Sequence, residues 1–132
     1  MAFADAKGRL VVIDNDANMA LVAEATTGAA RGLSSAVLLT IGTGIGGALM
    51  DNGNIIHGKA TAGQLGHITV DVNGETCLCG RRGCLETTSS GTALRRLTAA
   101  GGFPDGTSVE DLLSLPADAA RSVLRNWAQP LR

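Results

Sequence analysis

The sequence contains no tyrosine, one tryptophan and two phenylalanines in 132 residues. Its core must therefore be built from Val, Ile, Leu and Ala, and no row of aromatics exists on which bases could stack. A net charge of -1 likewise lacks the basic surplus of a phosphate-neutralising protein. The pairs Arg81-Arg82 and Arg95-Arg96 read as solvated surface, so nucleic-acid binding by this segment is not expected. No apolar run approaches the ~18 residues of a membrane span, and the N-terminus lacks a basic stretch followed by an apolar segment and cleavage site. The expectation is a cytoplasmic protein with no membrane contact. Cysteines number three, an odd count, and Cys77 and Cys79 lie too close in sequence to bridge comfortably, so a disulfide framework is a poor explanation. Metal is the better one.

With 45% hydrophobic residues, the chain can form one ordinary domain or part of a larger one. Arg9 to Asp14 is a short apolar, β-branched run that reads as a buried strand. Ala17 to Arg31 suits a helix fed at its N-terminus by Asn15 or Asp16. Ser35 to Ile41 is a second buried strand. Asp51-Asn52-Gly53-Asn54 between Gly47–Met50 and Ile55–Gly58 is a strong hairpin signal. Residues 60–83 are irregular, except that His67 to Asp71 alternates as a strand could. Gly91 to Ala100 predicts a helix, Ser108-Val109-Glu110-Asp111 resembles a capping box opening another, and Ala117 to Trp127 predicts a third, with Pro116 at its first turn and apolar positions at Ala120, Val123, Leu124 and Trp127. The class is α/β, without an internal repeat or linker.

His67, Cys77, Cys79 and Cys84 supply three sulfurs and one nitrogen, the ligands zinc prefers. Four of them close a tetrahedron with no position left for substrate or water, so the expected zinc is structural. Glycines at 80 and 83 fall where a backbone wrapped round a metal needs unusual φ. Three free thiols and an unrelated surface histidine are the bland alternative.

Thr40-Ile41-Gly42-Thr43-Gly44-Ile45-Gly46-Gly47 follows an apolar strand, and its glycines would let backbone N–H groups approach phosphate oxygens. It lacks the Gly-Lys-Ser/Thr ending of a P-loop, and a strand rather than a helix follows. A glycine-rich hairpin turn is the alternative. Asp16, where a strand gives way to a helix, could act as a general base or simply cap the helix. Glu86 could accept hydrogen bonds from sugar hydroxyls or be an ordinary acid of a first helical turn.

Taken in order, these segments resemble the ROK family of sugar kinases and sugar-responsive repressors. Asn15-Asp16-Ala17-Asn18 looks like its catalytic-aspartate segment, Gly42-Thr43-Gly44-Ile45-Gly46-Gly47 like its second phosphate loop, and Gly63-Gln64-Leu65-Gly66-His67 like its Glu-x-Gly-His sugar motif. Cys77-Leu78-Cys79-Gly80-Arg81-Arg82-Gly83-Cys84-Leu85-Glu86 is similar to its zinc signature. The resemblance implies a partial actin-like ATPase (ribonuclease H-like) fold with a zinc-binding loop, spanning residues 1–132. It implies that Asp16 activates a sugar hydroxyl. Asn15, Gln64, His67 and Glu86 would hold the sugar, and Gly42, Thr43, Gly44 and Gly46 would face the phosphates of ATP with Mg2+. A homodimer is a further implication.

Three departures stand out. Gln64 replaces the family's sugar-binding Glu; the Asp-x-Gly-Gly-Thr phosphate motif is absent; so is the glycine-rich segment that holds adenosine. The leading expectation is a segment of a hexose or N-acetylhexosamine kinase, inactive as these residues alone. An effector-binding segment of a repressor and a stand-alone zinc-stabilised module are the alternatives.

Overall fold

A computed structural model of the chain describes residues 2–5 and 7–132; Met1, where the expected partial domain begins, lies outside them. The chain forms two compact units, Met1–Leu38 with Gly47–Gly63, and Leu39–Gly46 with Gln64–Arg132. Two strands, a helix, three further strands and a run of helices follow in order, which gives the mixed α/β content expected.

In the first unit β1 (Ala2–Ala4) pairs antiparallel with β2 (Leu10–Val12), Ala4 opposite Leu10. The turn between them is organised by Asp5, whose carboxylate accepts from the backbone of Lys7 and Arg9, each at 2.9 Å. Contrary to the sequence expectation, this run is not buried: Leu10 and Val12 of β2 are 76% and 59% exposed, and Ile13 just after it is 63% exposed. An apolar β-run predicts burial only where both its faces are covered, and β2 belongs to a two-stranded sheet.

Helix α1 (Asp16–Thr27) starts at Asn15, whose side chain accepts from Ala17 N–H at 3.0 Å. It ends before Gly28 rather than at Arg31, because the Gly28 and Ala30 amides both turn back to the Glu24 carbonyl while the Glu24 carboxylate takes the Ala29 amide. Its buried face joins Ala17 and Leu21 to Ala30, Ala48 and Met50. Burying a leucine as fully as Leu21 stabilises by roughly 1.5–3 kcal/mol.

A three-stranded sheet of order β3-β4-β5 follows, comprising β3 (Ala36–Ile41), β4 (Ile45–Asp51) and β5 (Asn54–Ile55). Strand β3 alternates. Ala36 and Leu38 pack on the first core, whereas Val37, Leu39 and Ile41 are 67%, 43% and 46% exposed, so the second expected buried strand is covered on one face only. The β4–β5 hairpin is as expected: Met50 faces Ile55 and Asp51 faces Asn54, and the turn places Asn52 at φ 47° and Gly53 at φ 73°, the two positive angles a type I′ turn demands.

The second unit carries four helices, α2 (Leu85–Ser89), α3 (Gly91–Ala100), α4 (Val109–Ser114) and α5 (Ala117–Ala128). Ser90 caps α3 through the Ala93 amide. The Ser108/Asp111 capping box forms in full at α4. Leu94, Leu112, Ala120 and Val123 make the core, with Leu124 and Trp127 packed against it; the Trp127 indole donates to the Ser90 carbonyl at 2.9 Å. Before these helices, residues 64–84 hold one short 3-10 helix, Leu65–His67, and two isolated bridges, Thr69 with Cys84 and Thr76 with Arg82. The strand expected over His67–Asp71 does not form. The Val70 and Asp71 amides converge on the single Gly83 carbonyl, which extends no ladder. Among the described residues no helix is long and apolar enough to cross a membrane.

Candidate functional site

His67, Cys77, Cys79 and Cys84 come together in the second unit, their ligand atoms all within 4.8 Å of one another. Cys77 Sγ lies 3.6 Å from His67 Nδ1 and Cys79 Sγ 3.6 Å from Cys84 Sγ. A tetrahedron with zinc–sulfur bonds of about 2.3 Å has edges of about 3.8 Å, so the donor set fits that geometry. Local structure explains how so short a loop achieves it. Cys77 and Arg81 close a tight turn, Cys77 N–H to Arg81 O at 2.7 Å and Gly80 N–H to Cys77 O at 2.9 Å. Gly83 has φ 63°, and a side chain there would overlap the Asp71 carbonyl oxygen.

The cluster is electrostatically uneven. Burial, then the neighbouring thiols, pushes the fully buried Cys84 thiol up to about 12, whereas the Arg81 backbone N–H holds the exposed Cys79 below the usual thiol range. A divalent cation at the centre would reverse the burial effect and hold the sulfurs as thiolates.

The glycine-rich segment is the turn between β3 and β4, Gly42 N–H bonding to Gly44 O at 2.9 Å, and Gly46 lies within β4. The turn rests on the start of α3: the Gly91 amide donates to Gly42 O at 2.8 Å, and the Thr92 hydroxyl to Thr43 O at 2.9 Å. Glu86 comes from the first turn of α2, two residues past Cys84, and accepts the Ile45 amide at 2.8 Å. Gly44 makes this possible, since a Cβ there would sit 2.5 Å from Glu86 Oε2. Thr43, Gly44, Cys77, Glu86, Ser90 and Arg96 line one cleft of ≈ 320 Å³. Gln64 is exposed immediately before the 3-10 helix that carries His67, its carbonyl taking the His67 amide at 3.1 Å. The second unit thus joins a metal-type cluster, a carboxylate acceptor and a glycine turn, a combination suited to a hydroxylated or phosphorylated small molecule.

Asn15 and Asp16 belong to the first unit, exposed at the start of α1. One Asp16 oxygen accepts the Ala17 amide at 2.8 Å. Sequence reasoning missed their neighbours Asp14 and His57. The Asp14 carboxylate takes the Asn18 side-chain amide at 2.9 Å, His57 Nε2 at 2.6 Å and the Asn15 amide at 2.7 Å. These bonds, that to Asn18 foremost, hold the Asp14 carboxyl down at about 2. The available signal was an amide side chain, Asn18, one helical turn after the acid Asp14.

The ROK family model matches residues 2–129. Over 93 residues the chain is 47% identical to a glucokinase of Halalkalibacterium halodurans, covering 69% of this chain and 28% of that protein. It is 39% identical over 85 residues to the xylose repressor of Bacillus subtilis (64% and 22% covered), and 38% over 86 residues to an N-acetylmannosamine kinase of Haemophilus influenzae (64% and 29%). Among solved structures, a ROK hexokinase from Thermus thermophilus superposes with a TM-score of 0.77 at 37% identity, over 92% of this chain and 43% of that one. A ROK glucokinase from Streptomyces griseus, in complex with glucose and AMPPNP, gives 0.75 at 29% identity, over 91% and 45%. The chain therefore spans less than a third of the length of these curated relatives and less than half of these solved chains. With the order of its motifs and a family match across nearly all its residues, the chain belongs to the ROK family.

Proposed function

We propose that this chain is a segment of an ATP-dependent sugar kinase, acting on a hexose or N-acetylhexosamine and built on an actin-like fold. The observation that carries the reading is Glu86 bound to the glycine turn at Ile45, which puts a hydroxyl acceptor and a phosphate-type loop in one cleft. Similarity to a glucokinase and an N-acetylmannosamine kinase supports it. In this reading Asp16 takes the proton of the attacking sugar hydroxyl; its carboxylate accepts the Ala17 amide and the residue is exposed. Asn15, Gln64, His67 and Glu86 bind sugar hydroxyls, and the backbone at Gly42, Thr43, Gly44 and Gly46 faces phosphate. Mg2+ bound with ATP would neutralise charge on the transferred phosphoryl group.

His67, Cys77, Cys79 and Cys84 would hold one structural zinc ion, fixing the His67 ring and the start of α2, on which Glu86 sits. The 132 residues contain no Asp-x-Gly-Gly-Thr motif, so turnover by them alone is not expected. A cytoplasmic location belongs to the same proposal. A second reading, a sugar-sensing repressor segment, is favoured by Gln64 and by similarity to the xylose repressor.

The test is an NMR titration of the zinc-loaded protein with D-glucose, N-acetyl-D-mannosamine, D-xylose and magnesium AMPPNP. The kinase reading expects shifts at Glu86 with one of the first two sugars and at residues 42–44 with the nucleotide. A response confined to D-xylose would favour the repressor, and silence toward every sugar would overturn both.

A further inference from the structure

Asp14 and His57 are 43 positions apart in sequence and form the one His–carboxylate contact among the described residues. The Asp14 side chain is held at both oxygens. Oδ1 takes the Asn15 amide and the Asn18 side chain, and Oδ2 takes His57 Nε2. A carboxylate bonded through one oxygen can pivot about its Cβ–Cγ bond; held through both, its plane is fixed, and with it the donors it receives. Those donors are the first amide of the Asn15-Asp16 pair and the buried Asn18, 6% exposed.

Asn15 in turn caps Ala17 through its side chain and receives the Met19 amide at its carbonyl. His57 is itself tethered, lying beside Ile56, whose amide bonds to Leu49 O, while its own carbonyl takes the Ala62 amide. An α-helix N-terminus needs only its cap; nothing in capping calls for a histidine from a loop after β5.

We propose that His57 is a positioning residue, which acts through Asp14 to hold the Asn15-Asp16 turn in the orientation that the sugar-binding and proton-accepting roles require. The inference rests on the kinase reading for those roles, but the anchor itself is a property of this chain.

The test uses the ¹⁵N-labelled, zinc-loaded 132-residue protein with His57→Ala, His57→Gln, Asp14→Asn and the His57→Ala/Asp14→Asn pair. In His57→Ala the Ala17 and Met19 amides and the Asn18 side-chain amide should exchange about five- to tenfold faster, the scale of one lost hydrogen bond, while Leu94 and Leu112 stay unchanged. His57→Gln, which keeps an N–H donor, should restore slow exchange. The double variant should add little to either single change. Unchanged exchange in both His57→Ala and Asp14→Asn overturns the anchor, and so does a His57→Gln protein that behaves like His57→Ala. D-glucose should shift the Asn15 and Asp16 amides in wild type and His57→Gln, with affinity at least about fivefold weaker in His57→Ala. The exchange pattern as expected with no glucose response supports the anchor and overturns the sugar assignment alone.

Discussion

The two units carry their chemistry-bearing residues by different means. In the first, Asn15 and Asp16 stand on a strand-to-helix junction whose backbone is fixed by caps and by the Asp14 carboxylate. In the second, His67 lies within residues 64–84 and Glu86 just after them, a segment with little regular structure that brings four metal-type ligands together. A capped helix holds its shape by many small hydrogen bonds, each worth ~1 kcal/mol. The backbone bonds of residues 64–84 are scattered and form no continuous helix or ladder, so the proposed zinc would carry more of the same task there. The expected consequence of that zinc is a difference in how each unit fails, gradual in one and abrupt in the other.

The largest effect should come from the metal. A structural zinc supplies on the order of 10 kcal/mol to small zinc-binding folds, comparable with the whole stability of a domain. Cys84→Ser, or exhaustive chelation, should therefore strip hydrogen-exchange protection from residues 64–84 and leave α1 protected. Equal loss in both units would break the comparison.

Next come the cores. Leu21→Ala in the first unit and Leu112→Ala in the second, each 1% exposed, should cost about 2–5 kcal/mol in urea unfolding. The Leu112 change should be read in the metal-loaded protein, where protection of residues 64–84 should outlast that of α4.

A smaller effect belongs to Gly44→Ala. The new Cβ would expel the Glu86 carboxylate from the Ile45 amide and cost about 1–3 kcal/mol, the scale of a part-buried hydrogen bond left unmade. Thermal unfolding measures it, and a neutral result would mean that Glu86 is not seated on the turn. The smallest effect is with pH. Because the Asp14 carboxyl is depressed to about 2 in the folded protein, against an ordinary value of 3.8, its contribution is full above pH 3.8. It fades as pH falls towards 2 and is gone below that. The protection factor of the Leu21 amide, its exchange corrected for the intrinsic rate at each pH, should fall more between pH 4 and 2 in wild type than in Asp14→Asn, and parallel curves would count against the Asp14 network.

How much of this could be read in the sequence depended on distance along the chain. The cysteine cluster was legible because its ligands lie within 18 consecutive residues, 67 to 84, and because thiols among glycines have few other uses. The Asn52-Gly53 turn and the Ser108 box were legible for the same reason: each is a local arrangement with its own sequence chemistry. Burial was not legible. The apolar content of Leu10–Val12 and Val37–Ile41 says that these strands suit cover, not whether a neighbour supplies it. The Asp14–His57 contact joins residues 43 apart and has no periodicity to announce it. The glycine turn was half legible, since its hairpin form followed from the strand after it while the seating of Glu86 on Ile45 did not.

The central claim is that His67, Cys77, Cys79 and Cys84 close around one zinc ion that organises the second unit. Zinc K-edge X-ray absorption on the purified protein, with metal content measured on the same sample, tests it most directly. The expected result is one zinc per chain with three sulfurs at about 2.3 Å and one nitrogen at about 2.0–2.1 Å. Protein that folds without stoichiometric zinc, or a shell in which water oxygen replaces a sulfur or the imidazole, would contradict it.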